Sequence, residues 1–287
     1  MCAYAFGLSD VGRKRQKNED QYLIDPELGL YVVADGMGGH AGGDTASRLA
    51  VQTLVETLKS QQEILEANST QSEILEDNAV AKILSDALKS ACHVVYRRGQ
   101  VESTLQGMGT TATALLLHGD HAFIGHVGDS RAYLVRQNQI MQLSEDHSLV
   151  NEQVKAGLLT PEQARQSRYR NIITRSIGFE YDVDVDMMAL KALPGDTFLL
   201  CSDGLTTLLA DQEIRNILID NFLYEAPQLL VNLANHRGGD DNITVIVIHV
   251  VSKADMQSGA LNEKQIRLSE PADQMTTIML SHEENTH

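Results

Sequence analysis

With 287 residues, 43% of them apolar, the chain can close one large core or two small ones. Acidic residues number 39 against 23 basic, and a formal charge of −16 argues against binding nucleic acid or an anionic membrane. No apolar run approaches the roughly 18 residues of a membrane span, and no basic-then-apolar leader opens the sequence. Cys2, Cys92 and Cys201 are odd in number and widely spaced, so neither a disulfide frame nor a zinc site is expected and a cytoplasmic protein is. Cys201, inside the run TFLLCSD, reads as a buried filler rather than a nucleophile.

Two short strand candidates come first, residues 4–8 (YAFGL) and 22–25 (YLID), followed by 30–35 (LYVVAD). From about Thr45 the period becomes helical, with Ala50, Leu54 and Leu58 on one face. After the polar stretch 68–77, Val80, Leu84, Ala87, Leu88, Ala91 and Val95 form a second helical stripe. Strand periodicity returns in 110–118, 121–129, 131–137 and 139–145, with Gly119-Asp120 and Gln137-Asn138 as hairpin turns. A polar region over 146–178, carrying a helical piece at 148–156 and another opened by Pro161, reads as an insertion projecting from the sheet. Strands at 183–189 and 197–201, helices at 211–221 and 226–235, and a strand at 243–251 complete an α+β layered pattern, with packed antiparallel sheets and helices outside. Apolar density then falls, so 1–251 reads as the folded domain and 252–287 as a flexible polar tail with Met275, Ile278, Met279 and Leu280 as a possible docking segment.

Four aspartates stand out. Asp35, Asp129, Asp203 and Asp241 each lie beside or near glycine where an apolar strand run ends or begins. A carboxylate there is costly unless its charge is compensated, and four at one rim would suit hard divalent cations. Asp120, by contrast, reads as an ordinary turn residue. All-oxygen ligands favour Mg²⁺ or Mn²⁺ over zinc, and two such ions can activate water for displacement at phosphorus. Just upstream, Arg13, Lys14, Arg15 and Lys17 precede Asn18, Glu19 and Asp20, placing a phosphate grip next to acids that could hold metal-bound water.

Eight segments occur in order: RQKNED, VVADGMGGHAGG, GTTATA, HVGDSRAYL, DHSLV, NIITRSIG, LLCSDGL and DDNITVIVI. Together they resemble the metal-dependent serine/threonine protein phosphatases of the 2C type in their bacterial form. The resemblance spans about residues 1–251 and implies a four-layer αββα sandwich with a flap at about 146–178. It also implies hydrolysis of phosphoserine and phosphothreonine by direct attack of a metal-activated water at a two-ion Mn²⁺ or Mg²⁺ centre. By that resemblance Asp35 bridges the two ions, the Gly36 carbonyl, Asp203 and Asp241 complete the ligands, Glu19 acts through water and Asp20 is its acidic partner. Asp129, with Asp203, would hold a weaker third ion, and Arg15 would bind the phosphate.

Eukaryotic members place a histidine two residues after the bridging aspartate as general acid; here that position is Met37, as in bacterial members. His40 is the alternative acid, or metal-bound water takes that part. His126 reads as a packing residue, and His147, in the DHS segment, as an anchor for the start of the flap. Arg165, Arg168 and Arg170 of the flap, with Lys155 and Arg175 nearby, are expected to steer phosphorylated protein substrates in an otherwise acidic protein. The implied partners are phosphorylated proteins and a cognate serine/threonine kinase, and the protein itself is expected to be a monomer. The rival reading is a catalytically inactive module with the same fold that only binds partners; retention of Arg15, Glu19, Asp35, Asp203 and Asp241 argues against it.

Overall fold

The computed structural model describes residues 2–38, 42–67, 79–252 and 276–278. Strands β1 (Cys2–Asp10), β2 (Gln21–Asp25), β3 (Leu30–Ala34) and β4 (Gly36–Met37) precede helices α1 (Gly42–Ser60), α2 (Gln62–Ala67) and α3 (Ala79–Val101). Then come β5 (Gly109–Thr110), β6 (Ala112–His118), β7 (His121–Val127), β8 (Arg131–Arg136) and β9 (Gln139–Gln142). Helices α4 (Leu149–Lys155) and α5 (Pro161–Arg165) lie in the insertion. The chain continues through β10 (Asp186–Lys191), β11 (Thr197–Cys201), α6 (Asp203–Thr206), α7 (Asp211–Asp220), α8 (Ala226–His236) and β12 (Ile243–Val251). A short β13 (Thr276–Ile278) pairs antiparallel with β1; the rest of the expected tail, including Met275, Met279 and Leu280, lies outside the described residues.

Two antiparallel sheets carry the fold. One runs β13-β1-β12-β11-β8-β9 and the other β10-β7-β6-β3-β2, with β4-β5 as a separate two-stranded ladder. Their strands are apolar runs rather than alternations because both faces are covered. In β12, Ile246, Ile248 and Val250 enter the core between the sheets, while Val245 and Val247 face the core formed with α7 and α8. In β3, Tyr31 and Val33 point between the sheets, and Leu30 and Val32 point toward α1 and α3. The layers are therefore helices, sheet, sheet, helices, the αββα sandwich that the resemblance implied. On α1 the fully buried Ala46, Ala50, Leu54 and Leu58 recur every fourth residue and meet the stripe of α3.

Turn chemistry fixes the hairpins. Gln137 and Asn138 both take left-handed backbone angles, φ 50° and 60°, as a two-residue loop between right-twisted strands requires. Gly119 does the same at φ 61°. Strand β10 begins three residues later than the apolar pattern suggested. Val183 is buried by the α3 core rather than by pairing, and the ladder starts only where Asp186 faces His126 across β7. The insertion holds two short helices with side-chain caps, Ser148 on α4 and a Thr160–Gln163 capping box on α5.

Candidate metal centre

The aspartates reach a common rim, but not from one sheet. Asp35 follows β3 of one sheet, whereas Asp203 follows β11 and Asp241 precedes β12 in the other. Asp129 sits in the link that carries the chain from β7 to β8, crossing between the sheets. The mouth of the sandwich is thus lined from both layers.

Several of the ligand candidates are held through backbone contacts. The Asp35 N–H donates to Thr111 Oγ1 at 2.9 Å, and its carbonyl accepts from Thr110 Oγ1 at 2.9 Å and from the Thr111 N–H at 2.8 Å. Next to it, Gly36 has no room for a side chain: a Cβ would fall 2.2 Å from the Gly43 carbonyl oxygen and 2.5 Å from that of Glu19. Asn242 Oδ1 accepts the Glu19 N–H at 2.8 Å, while its Nδ2 donates to the carbonyls of Val11 and Lys17. That one buried amide ties the whole cationic loop to the start of β12. At Asp129 the preceding Gly128, φ 116°, and His147 clasp each other: the Gly128 N–H donates to His147 Nδ1 at 3.0 Å and the His147 N–H to the Gly128 carbonyl at 2.7 Å. Arg131 adds a two-pronged ion pair to Asp146, so the flap base and the Asp129 turn are locked together.

A cavity of about 370 Å³ is lined by Arg15, Glu19, Asp35, Gly36, Asp203 and Asp241, with Asn171, Asn242 and Met37. Asp20 lies behind it, 3% exposed; its Oδ2 accepts from Ser202 Oγ at 2.8 Å and its buried Oδ1 has no partner. Asp129 Oδ1 is likewise buried and unpartnered. Asp129 and Asp203 line an adjoining cavity of about 290 Å³, which the flap's Arg165 and Arg170 also border. Arg15 Nη2 pairs with Asp241 Oδ2 at 2.7 Å.

Burial raises the carboxyls of Asp35 and Asp129 well above the usual carboxylate range, and the charges of neighbouring aspartates raise them further. Burial likewise lifts Asp20 to about 7 and Asp203 to about 6. Such a cluster is unfavourable by itself and becomes favourable around a cation. Among the described residues, no three His, Cys, Asp or Glu side chains are already spaced as a cation site.

Other candidates are placed just as plainly. Ser130 and Ser202 are fully buried and hydrogen-bonded, to Thr111 Oγ1 and to Asp20 Oδ2, so neither is a nucleophile. His126 is buried, pushed down to about 4 chiefly by burial, with Nε2 donating to the Glu145 carbonyl and Nδ1 beside Thr113 Oγ1. Of the flap cations, Lys155 pairs with Glu145, Arg175 with Asp186, and Arg168 stacks on Tyr169 at 4.6 Å. Only Arg165 and Arg170 of the three expected steering arginines border the site; Arg168 is not in that lining. His40 lies outside the described residues. Asn242, Asn171 and the Thr110–Thr111 pair were not singled out from sequence. The motifs DDNITVIVI, NIITRSIG and GTTATA contained them, but their roles are visible only once distant backbones meet.

The family described as Protein phosphatase 2C matches residues 12–234. The chain is 38% identical over 246 residues to Protein phosphatase PhpP of Streptococcus pneumoniae serotype 2 (strain D39 / NCTC 7466), covering 84% of this chain and 95% of that one. Its fold superposes on the crystal structure of the Mycobacterium tuberculosis serine/threonine phosphatase PstP/Ppp with a TM-score of 0.77 at 32% identity, over 88% of this chain and all (100%) of the other. A structure of the PstP catalytic domain in complex with two manganese ions gives a TM-score of 0.74 at 32% identity, over 87% of this chain and 100% of that one.

Proposed function

Since the chain belongs to the protein phosphatase 2C family and is a protein serine/threonine phosphatase, we propose that hydrolysis takes place at the cavity lined by Arg15, Glu19, Asp35, Gly36, Asp203 and Asp241. The observation that carries this reading is the gathering of carboxylates from both sheets around one cavity that an arginine also lines. The donor set is all oxygen, and buried carboxylate oxygens on Asp20 and Asp129 lack partners, so the residues fit hard divalent cations such as Mn²⁺ or Mg²⁺. Asp35, the Gly36 carbonyl, Asp203 and Asp241 would hold two ions, with Glu19 and Asp20 behind them. Asp129, with Asp203, would hold a weaker third. When bound, such ions supply an activated water and neutralise charge on the transferring phosphoryl group.

The protein's own part is positioning. Arg15, projecting from the loop that Asn242 ties down, offers a planar fork to the phosphate oxygens and so orients phosphorus within the carboxylate ring. Buried Ser130 and Ser202 provide no attacking hydroxyl, which supports direct hydrolysis without a phosphoenzyme. Arg165 and Arg170 border the neighbouring cavity and would draw phosphorylated polypeptide toward it. Among the described residues no helix is long and apolar enough to cross a membrane. A cytoplasmic monomer opposing a serine/threonine kinase completes the proposal.

The test is turnover of a phosphoserine peptide with Mn²⁺, with and without chelator, for the wild type and Asp203→Asn. Activity that survives either chelation or the substitution sinks the metal-centre assignment. For the flap, Arg165→Gln with Arg170→Gln should raise KM for phosphopeptides and leave p-nitrophenyl phosphate unchanged; an unchanged peptide KM removes the steering role.

A further inference from the structure

Beside the metal cavity lies a larger cleft of about 650 Å³, whose lining includes Met37, Lys89, Phe179, Val183 and Asp184. Met37 lines both, so the two cavities adjoin at that residue. Phe179 is 69% exposed in this cleft. A singly exposed ring carries no message by itself. What distinguishes Phe179 is how firmly its backbone is held.

The buried thiol of Cys92 brackets it. Cys92 Sγ accepts the Gly178 N–H at 3.3 Å on one side and donates to the Glu180 carbonyl at 3.2 Å on the other. Gly178 has φ 89°, and a Cβ there would fall 2.2 Å from Val95 Cγ1, so the chain turns tightly against α3. One residue earlier, Ile177 exchanges both backbone hydrogen bonds with Thr110. The Thr110 hydroxyl in turn donates to the Asp35 carbonyl at 2.9 Å. On the far side, Tyr181 stacks on His93 at 4.3 Å beneath Arg97. The exposed ring is therefore carried by backbone referenced directly to the Asp35 segment. A contact made to a pre-ordered aromatic keeps its full value because no loop has to be ordered on binding.

We infer that Phe179, with Met37, forms a subsite for an apolar side chain of the substrate polypeptide flanking the phosphorylated serine or threonine, and so sets sequence preference. The inference rests on the metal cavity being where phosphate is hydrolysed. The shared border at Met37 selects the occupant. A residue next to the phosphorylated one lies only ~3.3–3.5 Å further along an extended chain, so a substrate anchored at the carboxylates can present a neighbouring side chain to this adjoining cleft.

The test uses the full chain with Mn²⁺ and a phosphopeptide set in which leucine or alanine is placed in turn at each of the three positions on either side of phosphoserine. Wild type should prefer leucine at one of these positions by about tenfold in kcat/KM, the scale of an apolar pocket's discrimination. Phe179→Ala should abolish that preference and Phe179→Leu retain most of it, with the all-alanine peptide and p-nitrophenyl phosphate turned over as before. An absent preference in wild type, a preference that survives Phe179→Ala, or an equal loss on every substrate overturns the subsite. Failure of wild type to hydrolyse p-nitrophenyl phosphate would instead refute the metal-centre reading beneath it, and the inference with it.

Discussion

Replacing Asp20 by asparagine should shift metal-free stability in the variant's favour progressively as pH rises. Asp20 is 3% exposed, and burial lifts its carboxyl from the ordinary 3.8 to about 7. A carboxyl raised on folding binds more protons in the folded than in the unfolded chain, so metal-free stability falls as pH rises through that interval. The cost grows by about 1.4 kcal/mol per pH unit between roughly pH 4 and 7, then levels near 4 kcal/mol. Asparagine keeps an acceptor for Ser202 Oγ and carries no charge, but its amide hydrogens can go unmet, a pH-independent loss of about 1–3 kcal/mol. The diagnostic quantity is therefore the slope. Urea unfolding in chelator, run from about pH 5 to pH 8, should show Asp20→Asn gaining on wild type by about 2–3 kcal/mol across the range. Saturating Mn²⁺ should cancel the gain, because a bound cation offsets the charge that asparagine removes. A difference between the two proteins that does not change with pH would refute the reasoning.

Three further outcomes are expected. Asn242→Ala should weaken Mn²⁺ binding about tenfold by calorimetry with little change in fold, since it frees Glu19 and the 11–17 loop without deleting a ligand; an unchanged isotherm would remove its positioning role. Arg15→Lys should raise KM for p-nitrophenyl phosphate about tenfold, because an ammonium cannot reproduce the two-pronged grip on phosphate. Leu88→Ala should cost about 2–5 kcal/mol in urea unfolding while leaving KM alone, as Leu88 is fully buried on α3 against β7 and lines neither carboxylate cavity.

The architecture was legible wherever burial on both faces made a strand a continuous apolar run: the spans expected for β11 and β12 coincide with those observed. It was less legible where a tertiary contact replaces a local one. Val183 carries the signature of a strand yet is buried by a helix, which displaced the start of β10. The four-residue α6 has too few positions to show a period, and Asp203, read as following a strand run, is its first residue. The acidic side chains could be picked out because a carboxylate beside an apolar run is anomalous in itself. Asn242 carried no such signal: its importance comes from accepting the N–H of Glu19, 223 residues away in sequence. Nor could sequence reveal that the rim draws on both sheets, since strand runs do not state which sheet they join.

The ion pair between Arg15 and Asp241 has a consequence for the order of events. The arginine that would grip phosphate and a carboxylate that would hold metal are paired with each other. Each ligand that arrives must take one partner from the pair, and thereby sets the other free. Occupancy of the carboxylates and affinity for phosphate are then reciprocally linked: whatever factor the cation adds to phosphate binding, phosphate adds to cation binding. Inorganic phosphate should accordingly tighten the Mn²⁺ isotherm.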